Sequence, residues 1–436
     1  MSTTLALLSS PRYDRTVITL LDPYLPSLES SDPDLQYQNP HAASIDSSRI
    51  IRPDYADPAY ARLASAAQQQ WRRGFGATNG QCVYRESGIA LTADHSGSEY
   101  VNKARENAKS LGCHVQTLNS REEICKLLGT GGTGGESGYV NWGSGWADNA
   151  RAMEGVMAMV IKRARERGRV IFRRAKVRQL LFEKGNQNRV LGARLEDGDA
   201  ILADLTVVAA GAWSGALVDL SGRAEARGQV MAYVPITEQE KAKLDEKPVL
   251  LNLSTGMFVI PPVQNAHTGE WFLKIARHSY GYANPTRVSP EGTPITTSLP
   301  NPKYTPIPAE GSRACRAFLQ QTIPWLGDRL FSSTRICWYT DTPTGDFLIA
   351  YHPVYNDSLF LATGGSGHGF KFLPVLGGKI VAAIEGGLEG ELAALWGWRG
   401  KVEMFAGTED GSRGGERGGV LEEEWGKEER LGRSKL

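Results

Sequence analysis

Several side chains in this sequence have types and spacings that could support chemistry. Cys337 precedes an aromatic pair, Lys274 lies in the apolar stretch WFLKIA, and Arg49 and Arg52 are three residues apart. A buried lysine can stabilise a negative charge that develops in a reaction, and an arginine together with Lys371 can bind a carboxylate. Taken singly, each has a simpler interpretation, namely a buried structural thiol for Cys337 and solvent-exposed cations for Lys274 and the arginines.

Glycines cluster in two places, and only one cluster predicts a ligand site. Residues 129–134 match G-x-G-x-x-G, but a helical pattern precedes them, whereas a dinucleotide loop follows a strand and opens a helix. They therefore predict a loop. Residues 364–369, GGSGHG, lie between a strand pattern and FKFLP. Four glycines in six positions exceed the needs of a tight turn and favour close backbone approach to a cofactor.

Asp22 follows the buried-strand pattern VITLL near the start of the chain. An acid at the end of the second strand of a dinucleotide-binding unit holds the adenosine ribose. On this interpretation the first strand and its glycine loop would lie upstream of Met1. The alternative is that Asp22 ends a strand and caps a turn.

Composition excludes several classes of protein. The 436 residues carry 49 basic and 48 acidic side chains, so no net field attracts nucleic acid or an anionic membrane. No apolar run approaches the roughly 18 residues that span a bilayer. The N-terminus has no signal-peptide pattern. Five cysteines favour a reducing compartment over a disulfide framework, and no Cys or His spacing indicates a metal site.

Periodicity predicts an α/β protein of α+β type overall. Helical patterns fall at 3–9, 58–74, 100–111, 119–128, 147–167 and 374–386, and strand patterns at 17–21, 170–173, 176–182, 190–196, 205–209 and 359–362. Residues 229–335 lose this rhythm and look rich in sheet. This predicts a Rossmann-like nucleotide domain in discontinuous segments with an inserted mixed-sheet substrate domain. From residue 407 the composition predicts a disordered tail.

Two C-terminal motifs carry a family resemblance. RICWYTDTPTGDFLIAYHP (335–353) and ATGGSGHGFKFLP (362–374) resemble the monomeric sarcosine oxidase family, above all its fungal branch of fructosyl amino acid oxidases (amadoriases) and saccharopine and pipecolate oxidases. AASIDSSRIIRPDY (42–55), GYVNWGSGWADNARAM (138–153), VVAAGAWS (207–214) and WFLKI (271–275) agree with it. The resemblance covers roughly residues 1–400 and lacks the dinucleotide fingerprint, so FAD binding is expected to be weakened.

The resemblance implies an FAD enzyme with the following site. Cys337 would carry FAD through a thioether, Lys274 would activate oxygen over the flavin face, and Arg49 would lie near the flavin ring. Arg52 and Lys371 would bind the substrate carboxylate. The remaining cofactor residues would be Asp22, Val177, Gly211, Ala212, Trp213, Gly367, His368, Gly369 and Phe370.

The resemblance also suggests a domain division. FAD-binding segments are expected at 1–90, 141–226 and 333–400, substrate-domain segments at 91–140 and 227–332, and a flexible tail at 401–436.

The expected reaction oxidises the C–N bond of a secondary amine to an imine, with O2 reduced to H2O2. Amadoriases place an acidic residue shortly after the catalytic lysine, whereas Lys274 is followed by Ile275, Ala276, Arg277 and His278. Arg277 suits a second carboxylate, which favours an N-substituted or cyclic L-amino acid of sarcosine, pipecolate or saccharopine type. Alternatives are a fructosyl amino acid oxidase, a tailoring amine oxidase of fungal secondary metabolism and an inactive remnant without flavin. A nicotinamide dehydrogenase is disfavoured.

The last three residues, Ser434, Lys435 and Leu436, match a peroxisomal address that an import receptor reads. Peroxide chemistry fits that compartment, so a peroxisomal location is expected, with the cytoplasm as the alternative. The expected partners are thus the amine substrate, O2 and this receptor, without nucleic acid or membrane.

Overall fold

The computed structural model describes residues 1–26, 39–78, 80–183, 185–265, 268–301, 306–355, 357–403, 405–417 and 419–433. In these ranges the helices are α1 Ser2–Ser9, α2 Pro58–Arg72, α3 Ser98–Ser110, α4 Arg121–Leu128, α5 Asn149–Arg167, α6 Glu238–Leu244, α7 Ala309–Thr322, α8 Leu373–Ile384, α9 Gly390–Trp396 and α10 Leu421–Arg433. Each helix predicted from periodicity is present within a few residues of its expected bounds. No described helix has the length and apolar character needed to cross a membrane.

The strands fall into one large sheet and several small ones. They are β1 Ile18–Leu21, β2 Ser48–Ile51, β3 Tyr84–Arg85, β4 Ile89–Ala93, β5 Val115–Leu118, β6 Ser137–Asn141, β7 Gly145–Asp148, β8 Val170–Arg173, β9 Val177–Glu183, β10 Asn186–Leu195, β11 Ala200–Leu202, β12 Thr206–Val208, β13 Glu225–Ile236, β14 Val249–Asn252, β15 Met257–Gln264, β16 Trp271–Arg277, β17 Pro285–Val288, β18 Ile295–Ser298, β19 Ser333–Asp341, β20 Leu348–Tyr351 and β21 Leu359–Thr363.

The α/β part of the chain contains parallel strand pairs built from distant segments. β1 pairs in parallel with β8, and β12 pairs in parallel with β21. Parallel pairs need long crossover connections. The connection from β1 to β8 includes α5, and the connection from β12 to β21 includes the whole sheet-rich middle of the chain. The turns after β12 and β21 therefore lie at the same edge. This confirms the predicted α/β class with an inserted sheet-rich region.

The inserted region forms an eight-stranded mixed sheet in the order β19-β13-β16-β15-β14-β4-β6-β5. β13 lies between β16 and β19, and it pairs Tyr233 with Lys274 and Gln229 with Cys337. One long strand thus fixes the spacing between the candidate lysine and the candidate thiol. The predicted domain boundary at 333 falls at the start of β19, which pairs along its length with β13 in this sheet.

Helix α2 positions the segment around Lys371. Asp57 caps its first turn through the backbone N–H groups of Ala59 and Tyr60, and Pro58 occupies the first helical position. At the other end, the buried Trp71 donates its indole N–H to the backbone oxygen of Lys371 at 2.7 Å. A capped helix with a buried aromatic anchor holds the turn that follows β21.

The glycine-rich segment 129–134 is a loop, as predicted. Gly129 ends α4 with φ +61°, and β6 begins only at Ser137. No helix opens after it, so this match to the dinucleotide pattern has no phosphate-binding context.

The C-terminal segment differs from the predicted disordered tail. Thr408 and Leu421 are fully buried, and Arg413 is 6% exposed. Backbone bridges join Ser279 to Gly414 and Ala283 to Val420. The composition is polar, but one buried arginine and scattered apolar anchors suffice to pack the segment on the large sheet. Residues 434–436 lie outside the described residues.

We expect Leu421→Ala to lower the free energy of unfolding by about 2–5 kcal/mol, the usual result of a cavity at a buried leucine. Urea unfolding of the FAD-loaded chain, followed by tryptophan fluorescence, measures the change. Val402→Ala is the matched control, because Val402 is 38% exposed in the same C-terminal region. Equal stability of the two variants would contradict a packed C-terminal segment.

Candidate active site

A fully buried lysine lies on β16, the third strand of the large sheet. Lys274 on β16 is 0% exposed, and its Nζ donates to the Asp46 carboxylate and, at 2.6 Å, to the backbone oxygen of Ser48. Burial lowers the pKa of Lys274 to about 8, although the Asp46 carboxylate opposes this shift. Lys274 therefore keeps its positive charge at neutral pH and loses it as the pH rises through about 8.

Asp46 joins this lysine to the segment that precedes β2. Its carboxylate forms an ion pair with Arg49 Nη1 at 2.6 Å and accepts a hydrogen bond from the Tyr233 hydroxyl at 2.9 Å. Burial alone would raise the pKa of Asp46, but Lys274 and Arg49 hold that pKa well below its usual range. Asp46 was not among the predicted site residues.

Arg49 connects this charged group to the candidate thiol. Its Nη2 lies 3.5 Å from Cys337 Sγ, and Cys337 is 1% exposed on β19. The structure therefore brings Lys274, Arg49 and Cys337 together, as the sequence predicted.

Arg52 and Lys371 form a second group of cations. Among the described residues, no carboxylate is in direct contact with either side chain. Both residues are only 6% exposed. The Arg52 guanidinium lies 4.9 Å from the centre of the Tyr55 ring, and its Nη1 is buried with no hydrogen-bond partner in the described part of the chain. Lys371 Nζ donates to the Tyr55 hydroxyl at 2.8 Å and to the His368 backbone oxygen at 3.1 Å.

Two buried cations without a carboxylate contact have a large unmet demand for negative charge. Burial lowers the pKa of Lys371 well below its usual range, and Arg52 lowers it further, while Asp54 opposes the shift. An anionic ligand would satisfy both side chains.

The glycine turn after β21 lies beside these cations. Gly367 has φ +67°, and a Cβ at that position would stand 2.2 Å from the Tyr339 ring, so the turn can approach β19 only with glycine there. At Gly365 and Gly369 a Cβ would meet no atom within 4 Å. Half-buried backbone with open space at Gly365 and Gly369, next to two buried cations, is a suitable cradle for a polar ligand.

The other predicted cofactor residues lie in the turn after β12, at the start of β9 and beside helix α2. Gly211, Ala212 and Trp213 begin a short 3₁₀ turn, Gly211–Ala216, and Thr363 at the end of β21 donates to the Gly211 oxygen at 3.4 Å. Val177 begins β9, and Phe370 stacks on Trp71 with ring centres 5.5 Å apart.

Asp22 follows β1 and accepts hydrogen bonds from the Tyr24 N–H at 2.8 Å and from Asn39 Nδ2 at 3.3 Å. The Tyr24 ring contacts His41, whose ring in turn faces Trp213, with centres 5.6 and 6.3 Å apart. This contact chain connects the end of β1 with the turn after β12. The role of Asp22 toward a cofactor stays a prediction.

Arg277 does not reach the site, contrary to the expectation that it meets a second carboxylate. Residues three apart on a strand point to opposite faces, so Arg277 leaves the sheet on the side away from Lys274. There it forms a two-point ion pair with Glu310, at 2.6 and 2.9 Å, and contacts the Tyr282 hydroxyl at 3.0 Å.

A different arginine, Arg413, enters the site from the C-terminal segment. Its side chain is 1% exposed, and its Nη2 pairs with Asp341 at 3.1 Å and donates to the Ser366 oxygen at 2.9 Å. Its Nη1 lies 2.7 Å from His278 Nδ1. Sequence reasoning missed Arg413 because it stands in a Gly/Glu/Arg-rich stretch without local periodicity.

Comparison with known proteins identifies the fold. The sequence profile described as "FAD dependent oxidoreductase" matches residues 36–384. The chain belongs to this family. Its predicted Rossmann-like FAD-binding domain and its FAD cofactor are thereby confirmed.

Relatives refine the class of this family member. An amino acid oxidase of Aspergillus flavus is 32% identical over 440 residues, which cover 88% of this chain and 90% of the relative. An L-saccharopine oxidase of Schizosaccharomyces pombe is 29% identical over 377 residues, and the alignment covers 82% of this chain and 84% of the relative. The resemblance to fungal amine and amino acid oxidases is confirmed, and this chain is an FAD-dependent oxidase.

Solved structures show the same architecture. A modified fructosyl peptide oxidase from Aspergillus nidulans superposes with a TM-score of 0.76 at 26% identity, covering 91% of this chain and 90% of that one. Amadoriase II, a fructosamine oxidase from Aspergillus fumigatus, gives a TM-score of 0.70 at 28% identity over 91% of this chain and 86% of its own.

The residues of this chain fit FAD. The open backbone at Gly365 and Gly369 allows a planar ring to approach, while Arg52 Nη1 and the Ser48 hydroxyl are buried polar atoms with no partner among the residues that the structure describes. Buried polar groups are nearly always hydrogen-bonded, so atoms of this kind beside a cradle are suited to a ligand with oxygen and nitrogen acceptors. No cluster of three or more metal-binding side chains occurs among the described residues.

Proposed function

We propose that this oxidase acts on secondary amines. Its substrate would be an N-substituted or cyclic L-amino acid, whose C–N bond is oxidised to an imine while O2 is reduced to H2O2. The observation that carries the proposal is the pair of buried cations, Arg52 and Lys371, without a carboxylate contact in the described protein. An amino acid brings the missing carboxylate and places its amine at a fixed distance from it.

The carboxylate anchor orients the reacting carbon. Arg52 can offer two parallel N–H groups, and Lys371 adds a point charge held in place by Tyr55 and its own backbone turn. Charge-assisted hydrogen bonds in a buried site are strong enough to exclude amines that lack the acid group.

FAD, when bound, supplies the acceptor for the substrate hydride and the electrons for O2. Lys274 contributes a fixed positive charge in a water-excluded site, where such a charge stabilises developing negative charge on oxygen. Asp46 and the Ser48 oxygen keep the ammonium group aimed at one place. Because the pKa of Lys274 is about 8, this contribution declines above that pH.

The far end of the substrate would meet Arg413 and His278 rather than Arg277. Arg413 is partly neutralised by Asp341, and no acidic residue takes the position four after Lys274. This favours a polar or anionic substituent, as in a saccharopine-type amino acid. A fructosyl amino acid is the second candidate, supported by the likeness to fructosyl peptide oxidase and amadoriase structures.

We expect Arg52→Met to raise the KM for amino acid substrates by about 10- to 100-fold, because the variant loses a charge-assisted hydrogen bond to the substrate carboxylate. Peroxide release from sarcosine, L-pipecolate, L-saccharopine and fructosylglycine measures it and ranks the two substrate candidates. Arg277→Met is the control, since that buried arginine pairs with Glu310 on the other face of β16. An equal rise in both variants, or oxidation of amines without a carboxylate at the same rate, would contradict the anchor.

We also propose that Cys337 holds FAD covalently, supported by its position 3.5 Å from Arg49 and its burial on the same sheet as Lys274. Acid precipitation of the purified wild-type protein should give a yellow pellet, and Cys337→Ser should give a white pellet with flavin in the supernatant. The buried Cys315→Ser variant is the control for loss of a core thiol. A white wild-type pellet would refute the thioether, and a colourless native protein would favour the inactive remnant.

Finally, we propose a peroxisomal location, supported by the terminal Ser434-Lys435-Leu436 and by the peroxide that the proposed reaction releases. A chain tagged at its N-terminus should co-localise with catalase in fungal cells, and deletion of residues 434–436 should leave it in the cytosol. Lys435→Arg, which keeps the charge, is the control. Punctate localisation without the last three residues would contradict the assignment.

A further inference from the structure

Three side chains form a hydrogen-bonded chain behind the Arg52–Lys371 site. Lys371 Nζ lies 2.8 Å from the Tyr55 hydroxyl, and that hydroxyl lies 3.0 Å from His368 Nδ1. His368 Nε2 lies 2.8 Å from the backbone oxygen of Gly345. The imidazole stacks on Phe347 with ring centres 4.9 Å apart. Both ring nitrogens of His368 are thus committed to protein partners.

The direction of each hydrogen bond follows from the partners. A carbonyl oxygen only accepts, so Nε2 of His368 carries a proton. In a neutral imidazole the other nitrogen then accepts, and the Tyr55 hydroxyl must donate to Nδ1. The Tyr55 oxygen is left with lone pairs only, and it accepts from Lys371.

We propose that carboxylate binding takes up one proton from solution onto the hydrogen-bonded chain of Lys371, Tyr55 and His368, and that the bound carboxylate holds this proton on Lys371. In this scheme His368 is a positioning residue, because its Nδ1 lone pair turns the Tyr55 hydroxyl away from Lys371. The inference rests on the proposed carboxylate site and explains how Lys371 in that site acquires its positive charge.

Once taken up, the proton can move along the chain without any change in the number of protons or in the total charge. In one direction an N–H bond of the Lys371 ammonium and the O–H bond of Tyr55 break, while a new O–H bond forms at Tyr55 and an N–H bond forms at His368 Nδ1. The positive charge then lies on His368, and Lys371 is a neutral amine that accepts from Tyr55. The reverse shift restores the ammonium.

The surroundings disfavour a charge at either end until an anion arrives. Burial lowers the pKa of both Lys371 and His368 and raises that of Tyr55. Charged and titratable groups from several elements face the chain: Arg52 and Asp54 face Lys371; Arg413 and Arg52 face His368; and Arg52, Tyr100, Tyr60 and Asp410 face Tyr55. His278 also faces His368. Arg52 and Asp54 oppose each other at Lys371, while two arginines act on His368, so a bound carboxylate is the group that makes protonation of Lys371 favourable.

The test uses an inert carboxylate as the probe. Binding of pivalate to the FAD-loaded full chain is measured by calorimetry at pH 8 in phosphate and in Tris, whose different ionisation enthalpies give the number of protons taken up. We expect an uptake that approaches one proton for wild type. Pivalamide, which has the same shape without the charge, should bind weakly and without proton uptake.

Two substitutions of His368 separate its acceptor from its donor. His368→Asn keeps an oxygen acceptor near the place of Nδ1, whereas His368→Gln places its amide near Nε2 and removes the acceptor for Tyr55. We expect the Gln variant to raise the Kd for pivalate about tenfold and to reduce the proton uptake, since one hydrogen bond to a charged group is lost. The Asn variant should stay within about threefold of wild type for the same reason.

Tyr60→Phe is the matched control, because that buried hydroxyl accepts hydrogen bonds from Phe347 and Trp396 and stands outside the chain. Its pivalate Kd should match that of wild type. Equal behaviour of the Asn and Gln variants, or wild-type binding without proton uptake, would overturn the inference and leave the carboxylate site intact. Failure of wild type to bind pivalate would overturn both.

Discussion

The buried carboxylate of Asp46 is the interaction on which the rest of the site depends. It receives Lys274 from β16, Tyr233 from β13 and Arg49 from β2, and Arg49 extends the contact to Cys337 on β19. One side chain thereby joins the N-terminal segment to three strands of the large sheet. Without it two buried cations would face each other, at a cost of several kcal/mol for each unpaired charge.

The site combines two kinds of cation that differ in how they are balanced. Lys274 and Arg49 are paired with an internal carboxylate, so their charges are balanced within the protein. Arg52 and Lys371 contact no carboxylate within the described part of the protein. The first pair is suited to a constant electric field at the flavin. The second pair is suited to substrate recognition, because a substrate carboxylate can supply the negative charge that these cations lack.

Local patterns predicted the elements well, whereas partners distant in sequence were missed. Periodicity located helices such as α2 and α5 and strands such as β8 and β21, because these signals come from neighbouring residues. Lys274 and Cys337 were found through motifs. The motif AASIDSSRIIRPDY contains Asp46 but does not reveal its role, since that role depends on a lysine 228 positions further along.

The error at Arg277 has a simple physical origin. It lies three residues after Lys274 on a strand, and strand alternation alone places the two on opposite faces. Proximity in sequence was taken for proximity in space. Arg413 shows the converse, because a residue in a polar stretch that predicts disorder becomes one of the most buried charges near the site once Asp341 and the Ser366 oxygen receive it.

The position of Arg413 also couples the C-terminal segment to the large sheet. The arginine proposed to meet the distal part of the substrate is held by Asp341 at the end of β19 and by the Ser366 oxygen after β21. A change that removed Arg413 would therefore leave the buried Asp341 carboxylate without its cation. Evolution of the range of amines at this position would thus have to change both members of the pair together, because a single buried charge without its partner is strongly destabilising.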